Sequence, residues 1–173
     1  MKNLITLFLL SALAIATTAQ NSSTESEFSN PTFFVGNVVV DLNASIDFYT
    51  NVIGMTKTRE FTVPVEKAKE LGLSDKYTLD VVVLKLENSE KANEWKLMSL
   101  RKKPGHKKPK WIHDDTGMQY ITIFVKHLNP IIERIKKHNI KIKSGVPSQL
   151  GENKYFILVQ DPDGTFIELI GPK

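Results

Sequence analysis

Four histidines and one late glutamate are the side chains whose types invite metal or acid–base chemistry: His106, His113, His127, His138 and Glu168. His113 is the one set beside carboxylates, in Trp111-Ile112-His113-Asp114-Asp115, where a loop could carry it over a site; the plainer reading is a solvated loop histidine. His106 lies in a basic loop, His127 at a strand end and His138 near a helix end. Glu168 follows the turn Asp161-Pro162-Asp163-Gly164, and it either lines a ligand pocket or ion-pairs across a sheet. That turn lacks the additional acidic positions and the closing Glu of a calcium loop. No nucleophile–base pair stands out, and Gly-rich phosphate loops are absent. There is no cysteine, which removes structural disulfides and a lipidated N-terminal cysteine from consideration.

The elements that would position these groups are led by Val38 to Met55 (VVVDLNASIDFYTNVIGM). Val38 to Val40 suit a buried strand. Asp41 and Asn43 supply side-chain oxygens for the first amides of a helix. Ile46, Phe48, Tyr49, Val52 and Ile53 recur at helical spacing, and Gly54 predicts a left-handed cap. Strands are expected over 33–40, 56–63, 77–86 and 95–100, with a short inserted helix over 64–73 that opens on Pro64. The pattern then restarts. A strand over 118–125, a helix over 130–138, and strands over 141–146, 154–160 and 165–170 follow. At an offset of 86 residues, Val39-Val40-Asp41-Leu42-Asn43 falls on Val125-Lys126-His127-Leu128-Asn129, and Ile46 on Ile132. The identities are few, so on its own the offset only suggests a repeat of two half-modules, about 33–103 and 117–172.

The stretch Asp41-Leu42 to Gly54-Met55 after its strand, together with Asp161 to Gly164 leading into Thr165 to Leu169, resembles the vicinal-oxygen-chelate superfamily. That group takes in glyoxalase I, extradiol dioxygenases and bleomycin-resistance proteins. The resemblance covers roughly Phe33 to Pro172 within a single domain, 33–173. It implies an α+β fold in which two βαβββ modules pair into a curved mixed sheet around a cavity, with helices outside. In the family's enzymes, four inward strand positions hold a divalent ion such as Fe, Mn, Ni or Zn, which binds two neighbouring substrate oxygens.

Carried onto this chain, those positions fall on Phe34, Tyr120, Leu97 or Ser99, and Glu168, with Glu94 reachable only by a register slip. Of the four, only Glu168 matches the His, Gln or Glu that the enzymes place there, and a catalytic ion usually needs about three protein ligands. No metal ligand set is therefore assigned. Strand alternation instead turns Phe34, Gly36 and Val38, then Tyr120, Thr122 and Phe124, then Phe166, Glu168 and Ile170 inward. The expected ligand-binding set is Phe34, Val38, Ser99, Tyr120, Thr122, Phe124, Phe166 and Glu168. This is an apolar, aromatic wall for a small flat molecule carrying a donor group. The competing reading is a self-filled core in which Phe34, Phe124 and Phe166 pack on one another.

Met1 to Ala19 has the form of a secretory signal peptide: Lys2, an apolar run from Leu4 to Ile15, then Thr17-Thr18-Ala19. Residues 20–32 read as a flexible leader, and an uncleaved N-terminal anchor is the alternative. Export to the periplasm or the outside is thus expected, with no stable membrane span after cleavage. It argues against the glyoxalase I reaction, whose glutathione adduct is a cytosolic substrate in the family. Net charge is +4; without Lys2 it is +3, from 22 basic and 19 acidic residues. The excess gathers in Arg101 to Lys110, where few aromatics interleave, so no nucleic-acid partner is implied. That run reads as a solvated linker or as a rim for acidic ligands. The resemblance points to a non-catalytic binding protein of a small organic ligand, with a homodimer allowed. A divergent glyoxalase-like lyase or ring-cleaving dioxygenase is the alternative.

Overall fold

The computed structural model describes residues 26–103, 105 and 107–173. The expected signal segment, the first residues of the leader and His106 lie outside the described residues. The chain divides into two units, Met1–Pro31 and Thr32–Lys173. In the first, the described residues 26–31 form no strand or helix.

The second unit holds two four-stranded mixed sheets of identical topology. In the first half, β1 (Val35–Val38), β2 (Thr56–Val63), β3 (Leu79–Lys85) and β4 (Trp95–Ser99) lie in the order β1-β4-β3-β2. In the second half, β5 (Tyr120–Phe124), β6 (Ser148–Gly151), β7 (Lys154–Gln160) and β8 (Phe166–Gly171) lie in the order β5-β8-β7-β6. Each half pairs its first and last strands in parallel and the rest antiparallel. The repeat suggested by the 86-residue offset is therefore a repeat of strand order, and the α+β class with paired βαβββ modules holds.

Helix α1 (Leu42–Asp47) starts where the sequence predicts, with Asp41 Oδ1 accepting from the Ala44 amide at 3.0 Å. It passes directly into a π-helical turn, Phe48–Ile53, closed by Gly54 at φ +98, the left-handed region that costs glycine no Cβ clash. Helix α3 (Asn129–Lys137) buries Ile131, Ile132 and Ile135. Arg134 reaches from α3 to the carbonyls of Val52 (2.9 Å) and Ile53 (3.1 Å), satisfying acceptors that the helix end leaves unpaired.

One core joins Tyr49, Val52, Leu84 and Leu97 of the first half to Leu128, Ile135, Ile167 and Leu169 of the second, all at 1% exposure or less. Each such side chain stabilises by roughly 1.5–3 kcal/mol relative to exposure. Alternation then defines an inner face on each sheet, turned away from α1 and α3. Helix α2 (Val65–Glu70) packs differently. Its Ala68 clusters with Leu79, Val81 and Val83, the residues that alternate with core members Val82 and Leu84, so it covers part of the first inner face.

The strand expected over 141–146 does not form. The Gly145 amide donates to the Ile142 carbonyl at 3.0 Å, and Ser144-Gly145 turns the chain, so turn chemistry overrides the short apolar alternation. The strand in this place is β6, which pairs with β7.

Candidate functional site

On the second half-sheet, register brings six of the inward residues into three cross-strand pairs. Tyr120 faces Phe166, Thr122 faces Glu168 and Phe124 faces Ile170. Thr122 Oγ1 donates to Glu168 Oε2 at 2.6 Å, so the carboxylate is held by a hydroxyl rather than by an ion pair. Leu158 joins them from β7, opposite Glu168. The outward partners Ile123, Ile167 and Leu169 lie in the core, which is what fixes this face as the inner one.

The aromatic side chains do not close over one another. Phe124 is 71% exposed, Tyr120 47% and Phe34 47%, whereas Phe166 is 1% exposed. Phe166 lies beneath the Lys143 ammonium, 5.6 Å from its ring, and Lys143 Nζ is tied at 2.8 Å to the Lys110 carbonyl. The result is an open apolar face with one buried end and one carboxylate–hydroxyl pair in it.

On the first half-sheet, Val38 is 59% exposed and Phe34 stands beside Lys96, whose ammonium is 4.9 Å from the ring centre. Ser99 is elsewhere. Trp95 and Leu97 belong to the core, and Ser99 continues their side of β4, buried, with its hydroxyl accepting from the Arg101 amide at 3.2 Å. The inner positions of β4 are Lys96 and Met98, preceded by Glu94. The assignment of Leu97 or Ser99 as inward is thus corrected by one residue, because the two tryptophan-side apolar residues are claimed by the helices. Trp95 and Leu97 bracketing Lys96 was the available signal.

The Asp161 turn, read from sequence only as a turn, is a clasp between the halves. Asp161 Oδ1 accepts from the amides of Asp163 (3.0 Å), Gly164 (2.7 Å) and Thr165 (2.8 Å). Its Oδ2 accepts from the Tyr49 hydroxyl (2.9 Å) and Asn37 Nδ2 (3.2 Å) of the first half. Burial, and then the Asp161 charge, hold the Tyr49 hydroxyl well above its ordinary pKa, so it stays a neutral donor. Asp163 accepts from the Val40 amide at 3.1 Å and from Ser45 Oγ at 3.4 Å.

Burial raises the Asp163 pKa above its ordinary 3.8, the Val40 amide opposes this, and the Asp161 charge adds to it. A raised carboxyl pKa means the folded chain binds the proton more tightly, so this group's contribution is complete below pH 3.8 and is lost as pH rises through the folded value. Asp163→Asn keeps both hydrogen bonds, with its amide donating to Ser45 Oγ. Urea unfolding is expected to find Asp163→Asn at least as stable as the parent at pH 7, with the two converging below pH 3.8. A variant that loses stability at pH 7 but not in acid has the sign reversed and refutes this.

The basic stretch is partly docked. Lys108 Nζ donates to the Asp161 and Pro162 carbonyls at 3.1 and 3.2 Å, and Gln160 Nε2 to the Pro109 carbonyl at 2.8 Å. A cleft of about 740 Å3 opens beside it, bordered by Val38, Val40, Lys103, Met118 and Asp163, and it touches the expected wall only at Val38.

Two of the described histidines lie beside carboxylates other than Glu168. His113 is exposed and 3.7 Å from Asp114, whose carboxylate is occupied by the Trp111 and Lys110 amides; these hold its pKa below the ordinary value. His138 lies 3.7 Å from Asp47. Among the described residues, no three His, Asp or Glu side chains gather as a metal-holding group. At the other positions expected to hold the ion stand Phe34, Tyr120 and, on the inner side of β4, Lys96 or Met98, so Glu168, already bonded to Thr122, is the one carboxylate of the set. That donor set does not fit a divalent ion.

The sequence profile of the Glyoxalase/Bleomycin resistance protein/Dioxygenase superfamily matches residues 34–169. The chain belongs to that superfamily. No curated protein sequence matches it. Among solved structures, it resembles a glyoxalase family protein from Bacillus cereus (15% identity, TM-score 0.68, covering 85% of this chain and 96% of that one). It also resembles the trypanothione-dependent glyoxalase I of Leishmania major (27%, 0.57, covering 83% and 87%) and glyoxalase I of Zea mays (23%, 0.58, covering 80% and 43%). The chain thus spans less than half of the maize protein.

Proposed function

We propose that this chain is an exported, non-catalytic binding protein that holds a small, flat or apolar organic molecule on the inner face of its second half-sheet. Phe124 and Tyr120 provide the contact area, and Glu168, oriented by Thr122, accepts a hydrogen bond from the ligand. Phe34 and Val38 extend the apolar surface on the first half-sheet, and Ser99 is left out because it faces the helices. The observation that carries this reading is the uncovered aromatic face, since contiguous exposed apolar surface marks interaction sites. Export rests on the form of residues 1–19 alone.

A divergent metal-dependent lyase is the second reading, favoured by the 27% identity to the Leishmania enzyme. Metal analysis separates the two: near-stoichiometric metal that disappears in Glu168→Ala favours the lyase.

The neutral fluorescent probe N-phenyl-1-naphthylamine, a flat molecule with one N–H donor, tests the binding reading. Saturable binding is expected, about tenfold weaker in Phe124→Ala and in Tyr120→Ala, as for the loss of roughly 1.4 kcal/mol of apolar contact. Glu168→Gln is expected to weaken it less. Absence of saturation, or indifference to both aromatic substitutions, overturns the proposal.

A further inference from the structure

On the first half-sheet, Arg59 of β2, Lys85 of β3 and Lys96 of β4 gather about a single carboxylate, Glu94. Arg59 Nη2 is 2.8 Å from Glu94 Oε2, Lys96 Nζ 3.6 Å from the same oxygen, and Lys85 Nζ 3.9 Å from Oε1. Side-chain exposure grades from 8% at Glu94 and 13% at Lys85 to 27% at Lys96 and 54% at Arg59, so the cluster has a buried floor and an open mouth.

A structural ion pair needs only one of these cations. Arg59 makes the close contact with Glu94 by itself, while both lysines stand beyond hydrogen-bond distance from it. Lys85 spends a donor on the Ser89 carbonyl at 2.9 Å. An ammonium has three donors, so Lys85 and Lys96 retain capacity for further acceptors. Three positive charges against one negative leave an excess of two in a half-buried setting, where repulsion is less screened than in bulk water. An oxyanion entering at the mouth would relieve that repulsion. The Phe34 ring against Lys96 gives such a ligand an apolar flank.

We propose that the Arg59–Lys85–Lys96 cluster is an anion-binding site for a carboxylate or phosphate group, seated at Lys96 and Arg59 with the rest of the ligand against Phe34. The site shares Phe34 with the apolar surface proposed above but uses none of Phe124, Tyr120 and Glu168, the second half-sheet residues that carry the probe-binding reading. The apolar pocket there can fail while this one holds, and the reverse.

Titration calorimetry on the full chain, with inorganic phosphate and separately with benzoate at fixed ionic strength, tests it. One saturable equivalent is expected, weakened about tenfold in Lys96→Gln, as for loss of a charge-assisted contact, and retained in Lys96→Arg. Tyr120→Ala is expected to change nothing. Benzoate binding that falls in Phe34→Ala identifies a flat carboxylate; phosphate binding indifferent to Phe34→Ala identifies a phosphate group. Lys96 is partly exposed, so its variants are expected to fold, as circular dichroism would verify. Failure of both anions to saturate overturns the proposal, as does affinity unchanged in Lys96→Gln or abolished only by Lys102→Gln and Lys103→Gln.

Discussion

Asp161→Ala is expected to lower the unfolding free energy by about 3–5 kcal/mol, enough to threaten folding of a domain of ordinary stability. The side chain is 1% exposed and accepts five hydrogen bonds, three from its own turn and two from the other half. Truncation leaves the Tyr49 hydroxyl, the Asn37 amide and three backbone N–H groups without their acceptor, and unsatisfied buried groups cost more than the lost bonds themselves. Asp161→Asn keeps an oxygen for the three amides but presents N–H donors to Tyr49 and Asn37, so a smaller loss of about 1–2 kcal/mol is expected. Tyr49→Phe, which removes one partner and leaves the carboxylate in place, should cost least. Urea denaturation of the three variants checks the order. An Asp161→Ala variant within 1 kcal/mol of the parent would mean that the clasp is dispensable.

The same turn shows how far the sequence could be read. Asp161-Pro162-Asp163-Gly164 announces a tight turn by residue type, because proline and glycine constrain backbone angles locally. Its second role, reaching Asn37 and Val40 from 124 and 123 residues away, depends on how the halves pack, and nothing in local residue type encodes it. The paired modules were legible for a related reason. The first strand and first helix of each half repeat at one offset, which suggests two modules, and the resemblance to a paired βαβββ architecture supplied the rest of the topology.

The inner face was legible wherever a strand has a clear apolar partner face. Ile121, Ile123 and Val125 commit β5 and place Tyr120, Thr122 and Phe124 opposite. In β4, tryptophan and leucine flank a lysine, and the core takes the larger apolar side chains, which puts Lys96 inward and moves Ser99 out. The Arg59, Lys85 and Lys96 cluster lay unread for that reason. Its members come from three strands, each with an ordinary exposed-looking charge, and only sheet register brings them to one carboxylate. The missing strand at 141–146 has the opposite cause: a serine–glycine turn outweighs a short β-like run.

Gly171→Ala is expected to cost about 2–4 kcal/mol although it adds one methyl group and needs no unusual backbone angle. A Cβ on Gly171 would lie 2.3 Å from the Val125 carbonyl oxygen and 2.8 Å from Val125 Cγ2, and the first of these is backbone. Neither side can retreat freely. Val125 N–H donates to the Ile170 carbonyl at 2.8 Å, and Leu128 N–H donates to the Pro172 carbonyl at 2.7 Å, so the residues flanking Gly171 are anchored to the strand and helix they would have to leave. Gly151→Ala is the matched control, since a Cβ there meets nothing within 4 Å and the backbone is unstrained; it should fall within about 0.5 kcal/mol of the parent. If Gly171→Ala unfolds like Gly151→Ala, the close approach of β5 to β8 is not rigid. If it is destabilised as expected, β5 must shift against β8, and the Thr122–Glu168 bond, which spans those same two strands, should loosen with it. Weakened N-phenyl-1-naphthylamine binding in the folded fraction of Gly171→Ala, with Gly151→Ala unaffected, would tie the packing of the strand end to the face that holds the ligand.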